Sequence, residues 1–365
     1  MEGAARPERP LRVVHLPSNM ASLASHNVRA LRMHGVDARG FVLGEAHGIA
    51  TTEGMTLKPV PRRRHPWRWP AYLSWYAGEL RAADIVHWYF DSRGYMPGDL
   101  DLRLVAWLRK PAVVQWLGSD IRIPEVEFET NPYFEAAWES GFEARDGVSA
   151  CHSCDSQRLF AEAGFVPIVT PGMQQYIMRD LHPLTVPGDR FLVLSDYDVA
   201  LPDPSVVRPR VVHAPSAPNV KGTPRLLAAV QRLRERLDFE FVLLQGMTRD
   251  RVMAEMSRAD IVVDQLVLGD YGMAALEGMA FGKPVVCHVK PSIARRYPED
   301  LPIVRADPDD VESVLEGLLT DGERRRRVGE ESRWYVERHH GETTCAEVLS
   351  SAYRTVIEYR REGAR

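Results

Sequence analysis

The sequence predicts an α/β protein built as two doubly wound, Rossmann-like domains facing a central cleft, and three repeated phrases predict it. Residues 12–18 read RVVHLPS and residues 210–216 read RVVHAPS; ADIV follows at 83–86 and again at 259–262; a KPAVV run begins at Lys110 and a KPVV run at Lys283. The order is the same in both halves. Each phrase is a short β-branched run closed by polar, Pro or Gly residues, which reads as a buried strand entering a turn. The stretches between carry helical periodicity, so each half is a series of βα units around a parallel sheet. Chance recurrence of common phrases is the competing reading, and the shared order argues against it.

A chain of 365 residues suits two domains, each large enough for a full core. Pro183, Pro187, Pro202 and Pro204 punctuate the region between Asp180 and Arg208, which divides the chain into residues 1–190 and 191–340, with 341–365 beyond. Net charge is −4 and no extended basic face is evident, so nucleic acid is not an expected partner. No apolar run reaches the length of about 18 residues needed to span a bilayer, and MEGAARPERP lacks the apolar core of a signal peptide. A soluble cytoplasmic protein is the expectation. Four cysteines are too few for a disulfide framework, which fits a reducing compartment. With 41 Arg against 5 Lys, each lysine draws notice.

Doubly wound sheets bind ligands beyond the carboxyl ends of their strands. Polar residues gather there in order along the chain: His15 to Ser18, His87, Gly118-Ser119-Asp120, His213 to Ser216, and Asp264-Gln265. Lys221 stands in HAPSAPNVKGT, residues 213–223, after a strand and before an amphipathic helix expected from Pro224 to Leu237. Gly222 lets the backbone turn and Thr223 can cap the helix. An ammonium there would face an anion drawn to the helix N-terminus; a solvated turn lysine is the alternative. Residues 259–289 then predict a buried strand, a Gly-rich turn, a helix from about Gly272 to Phe281 and a strand opened by Pro284. Glu277 lies in that helix among Met, Ala and Leu, either facing solvent or meeting a polar ligand.

These residues carry a resemblance. The stretch from Gly272 to Val286, GMAALEGMAFGKPVV, resembles the second half of the E-x7-E motif of the GT-B glycosyltransferases, specifically the retaining family-4-like group. The likeness extends to the K-G turn at Lys221, to RADIVVDQ at 258–265, to GSDIR at 118–122 and to SRWYVERHH before the final helix, and spans some 300 residues. The resemblance implies that Lys221 contacts the diphosphate of a nucleotide-sugar donor, that Glu277 accepts ribose hydroxyls, and that backbone N–H groups of Gly272, Met273 and Ala274 hold donor oxygens. Gly246, Met247 and Thr248 would flank the base. Ser216, Gly222, Asp270 and Tyr271 complete the donor set, with a UDP-sugar favoured and no cofactor or metal required.

Three departures accompany it. The first Glu of the motif falls on Gly269, leaving Asp270 or Asp264 to substitute; the usual arginine before the lysine is Ser216, which His213 would help replace if protonated; and the usual histidine of the N-terminal half is Leu117, with Asp120 retained. Lys221 and Asp120 are the catalytic candidates, the latter as an organiser or acceptor ligand, with an Asx turn as its alternative. Asn19, Ser22 and His26, if the first helix begins near Ser22, and His87 are the acceptor-side candidates. The acceptor would be a glycan, a lipid-linked glycan or a natural product. The resemblance also implies that the helix over 345–361 crosses back onto the first domain.

Two local features stand outside this reading. PRRRHPWRWP at 61–70 either contacts an anionic acceptor or a membrane surface peripherally, or is a loop whose tryptophans tuck against the domain. Cys151-His152-Ser153-Cys154 supplies at most three metal ligands, and buried thiols at a strand end are the favoured reading. The expected activity is retaining hexosyl transfer. A non-catalytic sugar-nucleotide binder is the main alternative, and a nucleotide-sugar epimerase, lacking acid–base residues at Gly269 and Leu117, is the weaker one.

Overall fold

The computed structural model describes residues 9–44, 52–62, 64–90, 93–142 and 148–363. In the first half, β1 (Arg12–Leu16), α1 (Leu23–Met33), β2 (Asp37–Val42), β3 (Met55–Leu57), α2 (Trp69–Ala82), β4 (Ile85–Tyr89), α3 (Leu100–Trp107) and β5 (Ala112–Gln115) alternate regularly. A helical arm follows, α4 (Pro124–Phe128) and α5 (Pro132–Glu139), and then α6 (Ala150–Glu162), β6 (Phe165–Val169) and β7 (Val186–Pro187). The strands form one parallel sheet in the order β3-β2-β1-β4-β5-β6-β7.

The second half runs β8 (Arg210–His213), α7 (Pro218–Lys221), α8 (Thr223–Arg234), β9 (Glu240–Leu243), α9 (Arg249–Ser257), β10 (Ile261–Val263), α10 (Met273–Ala280), β11 (Val285–Cys287), α11 (Pro291–Ala294) and β12 (Val304–Arg305). It ends in α12 (Val311–Leu319), α13 (Gly322–His339) and α14 (Glu342–Glu362). Its sheet is parallel in the order β12-β11-β10-β8-β9. Strand order reverses between β1 and β4 in one sheet and between β8 and β10 in the other. Such reversals open a crevice at the carboxyl ends, so each sheet offers one.

The central strands are apolar on both faces because helices cover both: β1, β4, β5, β8, β10 and β11 are buried almost throughout. The last helix leaves the second half and lies on the first. Cys345, Ala346, Leu349, Ala352, Tyr353 and Val356 form its apolar stripe and join Val13, Val28, Ile85 and Val113 in one core. The Tyr353 hydroxyl bonds to His87 Nδ1 at 2.7 Å, inside the sheet.

A second apolar cluster crosses between the halves: Phe134 and Phe142 of the first pack with Val220 and Val267 of the second. Asn131 Nδ2 donates to the Val267 carbonyl at 2.7 Å, and Tyr133 Oη to Asp309 at 2.9 Å. The helical arm is thus what joins the two domains on one side of the cleft. Lys290 Nζ reaches Glu127 Oε2 at 2.8 Å beneath it.

The two sequence features outside the repeat fall as follows. Cys151 and Cys154 open α6, exposed and half-buried respectively; the expectation of buried thiols at a strand end is corrected, because the CHSC run lies on a helix N-terminus capped by Ser149. Among the described residues no group of three or more His, Cys, Asp or Glu could hold a metal ion. In the 61–70 stretch Arg63 lies outside the described residues; Trp69 packs against the core and Trp67 is 69% exposed. Among the described residues no helix is long and apolar enough to cross a membrane.

Candidate functional site

The carboxyl edges of both sheets border one cavity of ≈ 720 Å³, large enough for a sugar nucleotide. On the second domain its wall begins after β8, where Ala214 to Ala217 lead into α7. Gly222 ends that helix at φ +76°, and a Cβ there would stand 3.0 Å from Leu266, so only glycine fits the turn. The turn delivers Lys221 to the cavity. Its Nζ lies 3.0 Å from Asp264 Oδ1 and 2.8 Å from Gln265 Oε1, both at the carboxyl end of β10.

Asp264 also accepts the Gly272 N–H through Oδ2 at 2.8 Å. One buried carboxylate therefore holds both the ammonium and the entry to α10 in place. A Cβ on Gly272 would be 3.4 Å from Lys221 Nζ, so the positive side chain and the helix N-terminus converge. The N–H groups of Met273 and Ala274, in the first turn, have no intrahelical acceptor. Helix dipole and ammonium are both of the sign that attracts an anion, and the Asp264 carboxylate is their counter-charge in this structure.

Four residues along, Glu277 is 5% exposed and accepts from Arg249 Nη1 at 2.6 Å and, more weakly, from Tyr197 Oη at 3.4 Å. Burial raises its carboxyl above the ordinary range, and Arg249 opposes the rise. Oε2 makes no bond to the described residues and is open to accept. Arg249 is the residue that sequence reading missed beside Gly246 and Met247; all three line the cavity, while Thr248 serves as the N-cap position of α9 and does not. Asp270 lines it too, its Oδ1 accepting from Tyr297 Oη and the Tyr271 N–H, both at 2.9 Å. Tyr271 lines it as well, and its buried hydroxyl meets His340 Nε2 at 3.2 Å. Ser216 lines the wall, uncharged.

Arg190, Arg122 and Lys290 were not foreseen and also line the cavity. Arg190 donates to the Tyr271 carbonyl and to Tyr297 Oη at 2.6 Å, with Asp270 3.5 Å away. These bonds brace the Gly-rich turn before α10.

The first domain contributes Met20, Ala21, Leu23, Phe90, Leu117, Gly118 and Ser119. Ala21 and Phe90 carry positive φ of 49° and 52°, and Ser22 of 66°. Such left-handed non-glycine residues cost about 1–2 kcal/mol each and concentrate at ligand sites.

Several expectations are corrected here. Asp120 does not line the cavity: its carboxylate is turned back to accept the Leu117 and Gly118 N–H groups at 2.9 and 2.8 Å, the Asx-turn alternative. Burial pushes its pKa up to about 6 against those backbone donors. His87 is fully buried between β1 and α14, stacked on Tyr89 and bonded to Tyr353, and cannot reach an acceptor. His26 is fully buried as well, with Nδ1 accepting the Val193 N–H at 3.2 Å. Asn19 Oδ1 accepts the Ser25 N–H, and Ser22 is buried at the N-cap position of α1. The cleft-facing positions of that loop are their neighbours, because the left-handed turn at Ala21 and Ser22 swings Met20 and Ala21 outward. Gly222 shapes the wall from behind without lining it. His213 is held neutral: burial lowers its pKa to about 4, with Nδ1 on the Val263 carbonyl and Nε2 on Thr223.

No family model matches the sequence, and no curated protein is significantly similar to it. Solved structures do match. Sucrose-phosphate synthase from Thermosynechococcus elongatus aligns over 95% of this chain and 100% of its own at 13% identity, with a TM-score of 0.59. A glycosyltransferase from Rickettsia africae aligns over 96% and 99% at 12% identity and a TM-score of 0.58. HepE from Anabaena, solved with UDP and glucose, aligns over 93% and 98% at 11% identity and 0.52. The chain has the GT-B fold of these glycosyltransferases.

Proposed function

We propose that the protein is a retaining glycosyltransferase that moves a hexosyl group from a nucleotide-diphosphate sugar to an acceptor hydroxyl. The observation that carries this reading is the convergence of Lys221 Nζ and the N-terminus of α10 on one wall of the cleft, both held by Asp264. A diphosphate fits there. Ribose hydroxyls would donate to Glu277 Oε2, which is open, and the base would lie along Gly246, Met247 and Arg249. The sugar would then point toward Gly269, Asp270 and the first domain.

Bond cleavage places new charge on the departing phosphate, and a fixed ammonium plus helix N–H groups stabilise it where it forms. Removing one such donor in a preorganised site typically costs about 10²–10³ in rate. In a front-side displacement the departing phosphate oxygen takes the proton of the acceptor hydroxyl, so no side-chain base is required, and positioning carries much of the rate. That agrees with Asp120 lying outside the cavity. The proposed reaction uses neither a metal ion nor a cofactor. The acceptor is a glycan, a lipid-linked glycan or a natural product, bound on the Met20, Ala21 and Ser119 side of the cleft.

The test is calorimetric titration of UDP, GDP, TDP and ADP into the protein and into Lys221→Ala. Micromolar binding of one nucleotide, weakened at least tenfold by the substitution, supports the reading and identifies the base. Absence of binding by all four overturns it. Gly269, where a donor-facing carboxylate is replaced by hydrogen, favours sugar-nucleotide binding without transfer as a second reading; donor hydrolysis in the absence of acceptor separates the two.

A further inference from the structure

Beyond Lys221, the cleft holds a second cationic site, set where the two domains meet. Lys290 lies across Gly269: a Cβ on that glycine would be 2.5 Å from Lys290 Cγ, and the Lys290 N–H donates to the Gly269 carbonyl at 2.9 Å. Its Nζ bonds Glu127 Oε2 at 2.8 Å and Thr130 Oγ1 at 3.2 Å. Arg122, from the first domain, is 8% exposed and stands 3.7 Å from the other oxygen of the same carboxylate. Two cations therefore share one acid.

That acid is also saturated by others. Glu127 is fully buried behind the cavity wall and accepts from Tyr176 Oη and from Gln175 Nε2 at 3.0 Å. Two further carboxylates lie near. Asp270 is engaged by Tyr297, the Tyr271 N–H and Arg190, and Asp120 by the Leu117 and Gly118 N–H groups. Among the described residues Arg122 donates through Nη1 alone, to Tyr176 Oη at 3.2 Å. Its Nη2 lies beside Gly118 on the cleft wall, 3.3 Å from where a Cβ would sit. The guanidinium is held over the Phe134 and Tyr176 rings, 5.8 and 5.7 Å from their centroids, so the open edge is fixed before any ligand arrives.

An open guanidinium edge in a largely buried wall is matched by a planar anion, which it grips through parallel N–H bonds. The site adjoins Gly269 and Asp270, just before the α10 N-terminus, on the side where the sugar-nucleotide reading puts the transferred sugar. We propose that Arg122 and Lys290 hold a carboxylate on the transferred sugar, so that the donor is a nucleotide-linked uronic acid. This rests on the sugar-nucleotide reading of the cleft.

The experiment compares an acidic and a neutral donor on whichever base the nucleotide titration identifies: UDP-glucuronate against UDP-glucose, or GDP-mannuronate against GDP-mannose. The expected result is affinity at least about tenfold higher for the acidic donor, the size of one charge-assisted hydrogen bond. In Arg122→Gln, checked for folding by its thermal transition, the ratio is expected to fall to near unity, and Arg122→Lys is expected to restore part of it. Equal affinities in the unaltered protein, or preference for the neutral donor, overturn the proposal while leaving the nucleotide site intact. A protein that binds no nucleoside diphosphate at all overturns the underlying reading instead.

Discussion

Lys290 Nζ and Glu127 Oε2 lie 2.8 Å apart with side chains 3% and 0% exposed, and they belong to opposite domains. Glu127 pairs with Arg122 as well, so the two partners are not equivalent. Glu127→Gln removes the one carboxylate that both buried cations share and is expected to cost about 3–5 kcal/mol. Lys290→Met leaves Glu127 still held by Arg122, Tyr176 and Gln175 and is expected to cost less. Urea denaturation of both variants checks the order, and equal losses would contradict the shared-acid geometry.

Arg249 and Glu277 form a second buried pair, at 2.6 Å, on the Gly246 and Met247 side of the cleft, where the proposed function puts the nucleoside. Arg249→Ala strands the carboxylate and is expected to lower stability by about 3 kcal/mol. Nucleoside diphosphate affinity should fall at least tenfold by calorimetry. Thr248→Ala, one residue earlier but outside the cavity, should change affinity less than twofold.

Gly269 has no room for a glutamate side chain. Its φ is +75°, and any Cβ meets the Lys290 stem. Gly269→Glu is expected to destabilise the protein by at least about 1–2 kcal/mol from backbone strain alone. Thermal melting and donor binding should both worsen; an improvement in donor binding would mean that Lys290 moves aside freely.

Acid stability should be governed by histidines. Burial lowers His15 and His26 to about 3 and His182 and His213 to about 4, from an ordinary value of about 6.5. The unfolded chain binds protons these rings refuse, so their contribution is complete above about pH 6.5 and is lost as pH falls toward 3–4. Asp101 and Asp120, raised to about 6 by burial, act oppositely, favouring the folded state below about pH 4 and losing that contribution as pH rises through 6. Rings outnumber carboxyls, so the urea midpoint is expected to fall between pH 7 and pH 5. His213→Asn should flatten that slope; a midpoint rising on acidification would show the carboxyls dominating.

Both sheets were legible because their strands are apolar runs closed by turn residues, and because the runs recur in order. Lys221, Asp270 to Ala274 and Glu277 could be placed in the cleft because they lie in the segments that directly follow β8 and β10, where local sequence sets position. Arg249, Arg190, Arg122, Lys290 and Glu127 were not, since each reaches the site through contacts tens to more than a hundred residues away, and one arginine among 41 carries no mark. His87 was misplaced for a related reason. Alternation tells which face a strand residue takes, but not what covers that face, and here α14 covers it from the far end of the sequence.

That helix has a consequence for how the protein comes into being. The core around Val13, Ile85 and Val113 includes Cys345, Leu349, Tyr353 and Val356, so the domain whose strands leave the ribosome first is the one whose core closes last. The second domain, by contrast, draws its two cores from residues 192–336. During synthesis that face of the first sheet has α1 over part of it and waits for the rest of its cover until α14 has been made; a fragment cut at the interdomain segment would keep the uncovered part permanently.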